Sequence, residues 1–330
     1  MSGKAFARLA AAAFLLAYCV VVLGAYVRLT HAGLGCPDWP GCYGQVIVPE
    51  AGQAAERYPD RPLEPGKAWR EMTHRYAAPT LGLLILALAV LAVRRRRDPG
   101  QPVAIPIVLV FLVGAQAWLG RLTVTLLLQP LVVMGHLLGG LATLSLLAWL
   151  TLDARSSAQS VPAIAEPSAL KRFAVFALVV LVAQIALGGW TSSHYAAMAC
   201  PDFPTCHGRW WPEADFREAF VPWRAQVADF TGGTLEHPAR VAIHLTHRIG
   251  ALVTTIVLGL TCGAVILRAR QTAPRRAALA VALALIAQIT LGIAMVKLGL
   301  PLGVAVAHNA VAALLLVSMV TMNHLLWRAR

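Results

Sequence analysis

Eight apolar runs, each about as long as a bilayer is thick, leave this chain little choice of solvent. They fall near residues 8–28, 72–93, 103–124, 131–151, 170–190, 241–267, 277–297 and 303–326. A helix of roughly 20 residues crosses the ~30 Å hydrocarbon core of a bilayer. In lipid, backbone N–H and C=O groups must be satisfied within the segment itself, so each run is predicted to be a helix. Charged residues make up only 13% of the 330 residues, too few to clothe a soluble protein of this size. The first run, from Ala5 to Val27, is too long for the core of a signal peptide and lacks a convincing cleavage site. It is expected to remain as a helix.

The connections between the runs alternate in character. "RRRRDPGQ" (94–101), "DARSS…EPSALKR" (153–172), "RARQTAPRR" (268–276) and the terminal "WRAR" fall on one side, together with Lys4 and Arg8. The positive-inside rule makes that side cytoplasmic. The net charge of +13 is therefore placed as membrane topology places it, and a nucleic-acid partner is not expected. The sequence predicts a multi-pass protein of the cell's inner (cytoplasmic) membrane, with both termini cytoplasmic and lipid as its surroundings. Two long segments, 29–71 and 191–240, then face outward, while the other outer connections, near 125–130 and 298–302, are short.

Those long segments carry a duplicated loop. "GLGCPDWPGCYG" (33–44) and "AMACPDFPTCHG" (197–208) align at one offset of 164, which places Cys36 on Cys200 and Cys42 on Cys206. The repeat continues into the helices. "EMTHRYAA" (71–78) resembles "HLTHRIGA" (244–251), "AQAWLG" (115–120) resembles "AQITLG" (287–292), and His136 pairs with His308. The fold class read from this pattern is an all-α integral membrane protein. Its eight transmembrane helices would form two tandem, parallel-repeated four-helix bundles, residues 1–155 and 165–330. Gly24, Gly120, Gly188 and Gly292 would let neighbouring helices approach closely.

Ionisable residues inside spans are costly and read as functional. His74, His136, His247 and His308 lie in the second and fourth helix of each half. From His74 to Arg94, His136 to Asp153, His247 to Arg268 and His308 to Arg328 is 17 to 21 residues, close to one hydrocarbon thickness. All four imidazoles are thus expected at one depth, near the outer edge, in two pairs. A lone histidine there is most often just hydrogen-bonded in place. Four at matched depth favour two pairs, each able to ligate a haem iron from both faces. Zinc is disfavoured because no carboxylate or cysteine shares the depth in both halves.

Arg28, Arg75, Arg121, Arg248 and Lys297 lie at outer helix ends, against the general charge bias. They are candidate partners for haem propionates, with snorkelling to headgroups as the alternative. An oxidising outer compartment allows local Cys36–Cys42 and Cys200–Cys206 disulfides; a redox role or a metal site for these cysteines stays open. Cys19 and Cys262 are expected to pack within spans. Glu71 stands one helical turn before His74, so both can face one site, whereas its counterpart in the second half is His244. A carboxylate there could move protons or stabilise developing positive charge.

The "CPDWPGC" and "CPDFPTC" loops, "EMTHR", "HLTHR", "MGHLLGG" and "VAHNAVA" resemble the haem A synthase family, and the likeness runs from about Gly24 to the last helix. The resemblance implies oxidation of the C8 methyl of haem O to a formyl group through a hydroxymethyl stage. It implies that His74 and His136 flank the substrate haem O, with Glu71 as the catalytic acidic residue. His247 and His308 would ligate a resident haem b, and disulfides would close both loops over the sites. It further implies work alongside the farnesyl-transferring haem O synthase in cytochrome oxidase assembly; a homo-oligomeric form is compatible with the chain. The rival readings are a bis-histidine b-type electron carrier and a haem chaperone. A transmembrane carrier needs haems at two depths, and neither rival needs a carboxylate in one half only.

Overall fold

The computed structural model describes residues 3–156, 165–224 and 229–328. Eight of its helices are long and apolar enough to cross a membrane. They are α1 (Gly3–Leu29), α3 (Pro65–Arg94), α4 (Ala104–Thr125), α5 (Pro130–Ser156), α6 (Ser168–Ser193), α8 (His237–Arg268), α9 (Thr272–Lys297) and α10 (Leu302–Arg328). Two short helices, α2 (Ala51–Arg57) and α7 (Phe216–Ala219), lie in the long connections and carry no hydropathy signal. Most of the linker expected between the halves, and the end of the terminal "WRAR" stretch, lie outside the described residues.

Side-chain size is distributed as lipid demands. Ala10, Ala13, Ala17, Ala174 and Ala177 are buried between helices, while Leu83, Phe111, Leu260 and Leu267 point outward at 67–79% exposure. Hydrocarbon solvates large apolar side chains as well as a core does, so small residues collect where backbones meet. Cys262 is buried with this core, whereas Cys19 lies on the exposed face of α1.

The helices close into two rings. In the first, α1 packs on α3, α3 on α4, α4 on α5 and α5 back on α1; in the second, α6, α8, α9 and α10 close in the same cyclic order. The seam is made by the first and last helix of each ring, with α5 against α6, α1 against α10 and α5 against α10. On the charged side, the Glu166 carboxylate accepts from the Arg270 and Gln271 amides at 2.8 and 2.9 Å, fastening the chain ahead of α6 to the α8–α9 turn.

Two helices begin earlier than hydropathy suggests. Helix α3 starts at Pro65 and α8 at His237, whose next residue is Pro238. Proline is favoured in the first helical turn, where its missing N–H costs nothing. The added turns hold Lys67, Arg70 and Glu71 in one case and His237 and Arg240 in the other. An apolar window excludes such residues, yet the first of these turns carries Glu71, whose loop contact is described below.

Candidate functional site

Each of the four histidines fills the notch left by one of the four glycines. A Cβ placed on Gly24 would lie 3.1 Å from Cε1 of His74, on Gly120 3.4 Å from that of His136, on Gly188 3.2 Å from that of His247, and on Gly292 3.2 Å from that of His308. The glycines sit on the first and third helix of each half and the histidines on the second and fourth. At Gly24, Gly188 and Gly292 a methyl group would crowd the ring, which would have to give by a few tenths of an ångström; at Gly120 it would make ordinary contact. All four histidines are half-buried. The rings of His74 and His136 face each other with centroids 6.5 Å apart and planes at 83°. His247 and His308 likewise lie within electrostatic reach of one another.

A pair of imidazoles at this separation can bind one metal atom between them, since a metal–imidazole nitrogen bond is ~2 Å long. Nδ1 of His74, His136 and His308 is buried without a hydrogen-bond partner, which is costly unless something completes it. Among the described residues no three His, Cys, Asp or Glu side chains gather as a metal site. The donor set therefore fits a metal whose remaining positions are filled by a ligand of its own, as a porphyrin fills four.

Above each pair lies a cysteine loop. Disulfides join Cys36 to Cys42 and Cys200 to Cys206, with Cα atoms 4.8 and 4.7 Å apart. Inside each loop an aspartate caps the turn. Asp38 accepts from the Tyr43 and Gly44 amides, both at 2.7 Å, and Asp202 from those of His207 and Gly208 at 2.6 and 3.0 Å. Tyr43, Gly44, His207 and Gly208 all have positive φ; glycine adopts this at no steric cost. Tyr43 is buried, and burial raises its phenol above the ordinary range.

The loops are latched to α3 and α8 at equivalent points. Glu71, buried, accepts from the Cys36 amide at 2.9 Å and pairs with Arg75, which also donates to the Asp38 carbonyl at 2.8 Å and to the Gly41 carbonyl. In the second half, His244 Nδ1 lies 3.2 Å from the Cys200 amide and its Nε2 lies 3.2 Å from Nε of Arg248. Arg248 donates to the Thr205 and Cys200 carbonyls at 2.8 and 2.9 Å. Two of the five outer cations thus act as loop anchors.

The other three behave differently. Arg121 and Lys297 are exposed, and Arg121 lies 5.3 Å over the Trp118 ring. Arg28 is tucked into the seam, where it donates to the Ser192 carbonyl at 2.8 Å and lies 4.1 Å over the Tyr195 ring, itself stacked on His31. At the 164 offset, Ser192 is the counterpart of Arg28 and Tyr195 that of His31, so residues from matching positions meet across the seam. Arg28 Nε is buried without a partner, and among the described residues no carboxylate lies within ion-pair distance of this guanidinium. Of the five, Arg28 best fits an anionic ligand. Its neighbour Tyr195 carries no motif signal in the sequence; only the duplication points to it.

Comparison with known proteins agrees in scope. A family model described as cytochrome oxidase assembly protein (COX15-CtaA) matches residues 7–320. The heme A synthase of Shewanella oneidensis is 44% identical over 315 residues, covering 93% of this chain and 92% of that protein. The heme A synthase of Rhizorhabdus wittichii is 30% identical over 338 residues, covering 94% and 90%, and that of Caulobacter vibrioides 28% identical over 328. With the model spanning nearly all eight membrane helices, this chain belongs to the COX15-CtaA family of cytochrome oxidase assembly proteins.

Proposed function

We propose that this chain is a haem A synthase, an oxidoreductase that converts the C8 methyl of haem O to a formyl group through a hydroxymethyl stage. The observation that carries the reading is the doubled site: two histidine pairs, each seated on glycines and covered by a latched loop, with a carboxylate in the first half only. In this reading residues 1–155 hold the substrate haem O through His74 and His136, and residues 165–330 hold haem b through His247 and His308. The sites lie at the outer face of the inner membrane and both termini are cytoplasmic.

Haem b, when bound, supplies one-electron redox chemistry; the rest falls to the chain. His74 and His136 fix the substrate's orientation. The loop from Cys36 to Cys42 excludes water from the outer mouth. Glu71 sets a carboxyl group one helical turn from His74, where it accepts a proton or stabilises positive charge as the methyl carbon is oxidised. Arg75 pairs with that carboxyl group and keeps it aimed. Arg28 offers its unpartnered N–H to a propionate. The product serves cytochrome oxidase assembly, downstream of a farnesyl-transferring haem O synthase.

The test is the haem extracted from cells with and without the protein. Loss of haem A with accumulation of haem O supports the enzyme; unchanged haem types would overturn it in favour of a carrier or a haem chaperone.

A further inference from the structure

The two histidine pairs differ in what stands behind the rings. In the second half both imidazoles meet a glutamine amide from the neighbouring helix. Gln184 Nε2 lies 3.1 Å from His247 Nδ1 and donates to the His247 carbonyl at 3.0 Å. Gln288 Nε2 lies 3.0 Å from His308 Nε2. Each glutamine stands four residues before the glycine that receives the same ring, so Gln184 and Gly188, like Gln288 and Gly292, form one cradle.

The first half has the glycines without the same amides. Gln116, four before Gly120, lays its side chain on the bare Cα of Gly139, as Gln184 does on that of Gly250, but it makes no side-chain hydrogen bond to His136; its backbone carbonyl serves His136 as that of Gln288 serves His308. At the remaining position, four before Gly24, stands Val20, which has no hydrogen-bonding side chain. His74 Nδ1 is buried and unpartnered, as are those of His136 and His308, and no side-chain amide meets the His74 ring.

A metal-bound imidazole carries its remaining proton on the other ring nitrogen, and an acceptor for that proton fixes the ring and strengthens the ligand. An amide has both a donor and an acceptor end. Oε1 of Gln184 and of Gln288 is buried without a partner. At Gln288, half a turn about the last side-chain bond exchanges Nε2 for Oε1 and presents the acceptor that a ligated ring needs; Gln184 keeps its Nε2 on the His247 carbonyl and holds its ring by contact.

We propose that Gln184 and Gln288 are positioning residues that make the second-half porphyrin resident, and that Val20 behind His74 leaves the first-half porphyrin exchangeable. The inference rests on the proposed haem ligation and deepens it. A substrate site must release its product every turnover; a cofactor site must not.

The experiment follows haem transfer from the purified holoprotein to an excess of apo-globin scavenger, alongside the low-spin optical spectrum. Gln184→Met and Gln288→Met, singly and together, should speed loss of haem b by about 10–100-fold, the usual cost of removing such a partner. Gln288→Glu, which keeps an acceptor oxygen, should stay close to the unsubstituted rate. Val20→Gln combined with Ala77→Gly, Ala77 being the counterpart of Gly250 on whose bare Cα the Gln184 side chain lies, should slow departure of haem O from the first half about tenfold. If both methionine variants release haem b at the unsubstituted rate, or if the glutamate variant is as fast as methionine, the positioning role is overturned. The ligation reading has its own control. Retention of haem b by His247→Ala and His308→Ala overturns that reading, whereas loss there with normal glutamine variants overturns only this inference. Should a methionine variant fail to accumulate, the Val20 pair still decides, because unchanged haem O departure counts against the proposal.

Discussion

The two loop latches use the same donors and different acceptors, and the difference separates architecture from chemistry. In each half a cysteine amide and an arginine four residues along the helix converge on one side chain, Glu71 or His244. A carboxylate accepts both N–H groups at once. A neutral imidazole has a single acceptor nitrogen, so His244 satisfies only one of its two neighbours at a time. The second half nevertheless holds its loop, with Arg248 bonded to two loop carbonyls. Latching therefore does not demand a carboxylate. The carboxyl group at position 71 is left for another task.

The largest expected effect tests which half holds the resident porphyrin. His247→Ala and His308→Ala should each remove most of a low-spin, six-coordinate b-type spectrum. His74→Ala should leave that spectrum and remove substrate binding. If His74→Ala strips haem b while His247→Ala keeps it, the two halves have exchanged roles.

Glu71 comes next. Losing general acid–base assistance typically costs about 10²–10⁴-fold in rate. Glu71→Ala should keep haem b, accumulate haem O or a hydroxylated intermediate, and make little haem A. Glu71→Asp should recover part of the activity. Glu71→His, which copies the second-half latch, should hold the loop without restoring catalysis. His244→Ala should lower haem A output far less than Glu71→Ala does. Normal haem A production by a well-expressed Glu71→Ala variant would remove the distinction between the halves.

Much of this was legible beforehand, because membrane spans and duplicated motifs are local signals. The eight runs, the paired histidines and the four glycines can all be read from spacing. What escaped is informative. The outer turns of α3 and α8 fall outside the apolar runs because they are charged; the first of them holds Glu71, whereas His244 and Arg248 of the second latch lie inside the run 241–267. Arg75 and Arg248 read as ligand-facing cations from position alone, but the structure spends them on loop carbonyls. Gln184 and Gln288 sit in plain view within repeated segments, yet a glutamine among apolar residues has no pattern of its own. Only the facing ring gives it meaning.

The glycine notches supply a smaller contrast. At Gly188 an added methyl would meet the His247 ring at 3.2 Å, and at Gly24 it would meet His74 at 3.1 Å. Overpacking of this kind costs about 1–3 kcal/mol when neighbours cannot move. Gly188→Ala should be the more harmful to haem b, because the Gln184 contact restrains its ring. His74 has no such restraint, so Gly24→Ala should reduce substrate turnover and leave the resident spectrum intact. Equal loss of haem b in both variants would argue that the rings are held alike.

The smallest effect lies in the loops themselves. Asp202 is held down to about 2, first by the Thr205 hydroxyl and then by the Gly208 and His207 amides, against an ordinary value of 3.8. In the first loop Gly41 occupies the position matching Thr205, so Asp38 caps its turn without a hydroxyl. A carboxylate whose folded value is depressed contributes stability that is complete above its unfolded value and is lost as pH falls through the folded one. For Asp202 that window runs from about 4 down to about 2, so its own contribution to the second loop should not change across the neutral range. Carboxyl ¹³C NMR of aspartate-labelled protein in lipid nanodiscs should find one residue titrating near 2. Thr205→Gly, which makes the second loop match the first, should move that titration upward without touching haem b. A titration left in place by Thr205→Gly would assign the depression to the backbone amides alone, and the two loops would then cap their turns in the same way.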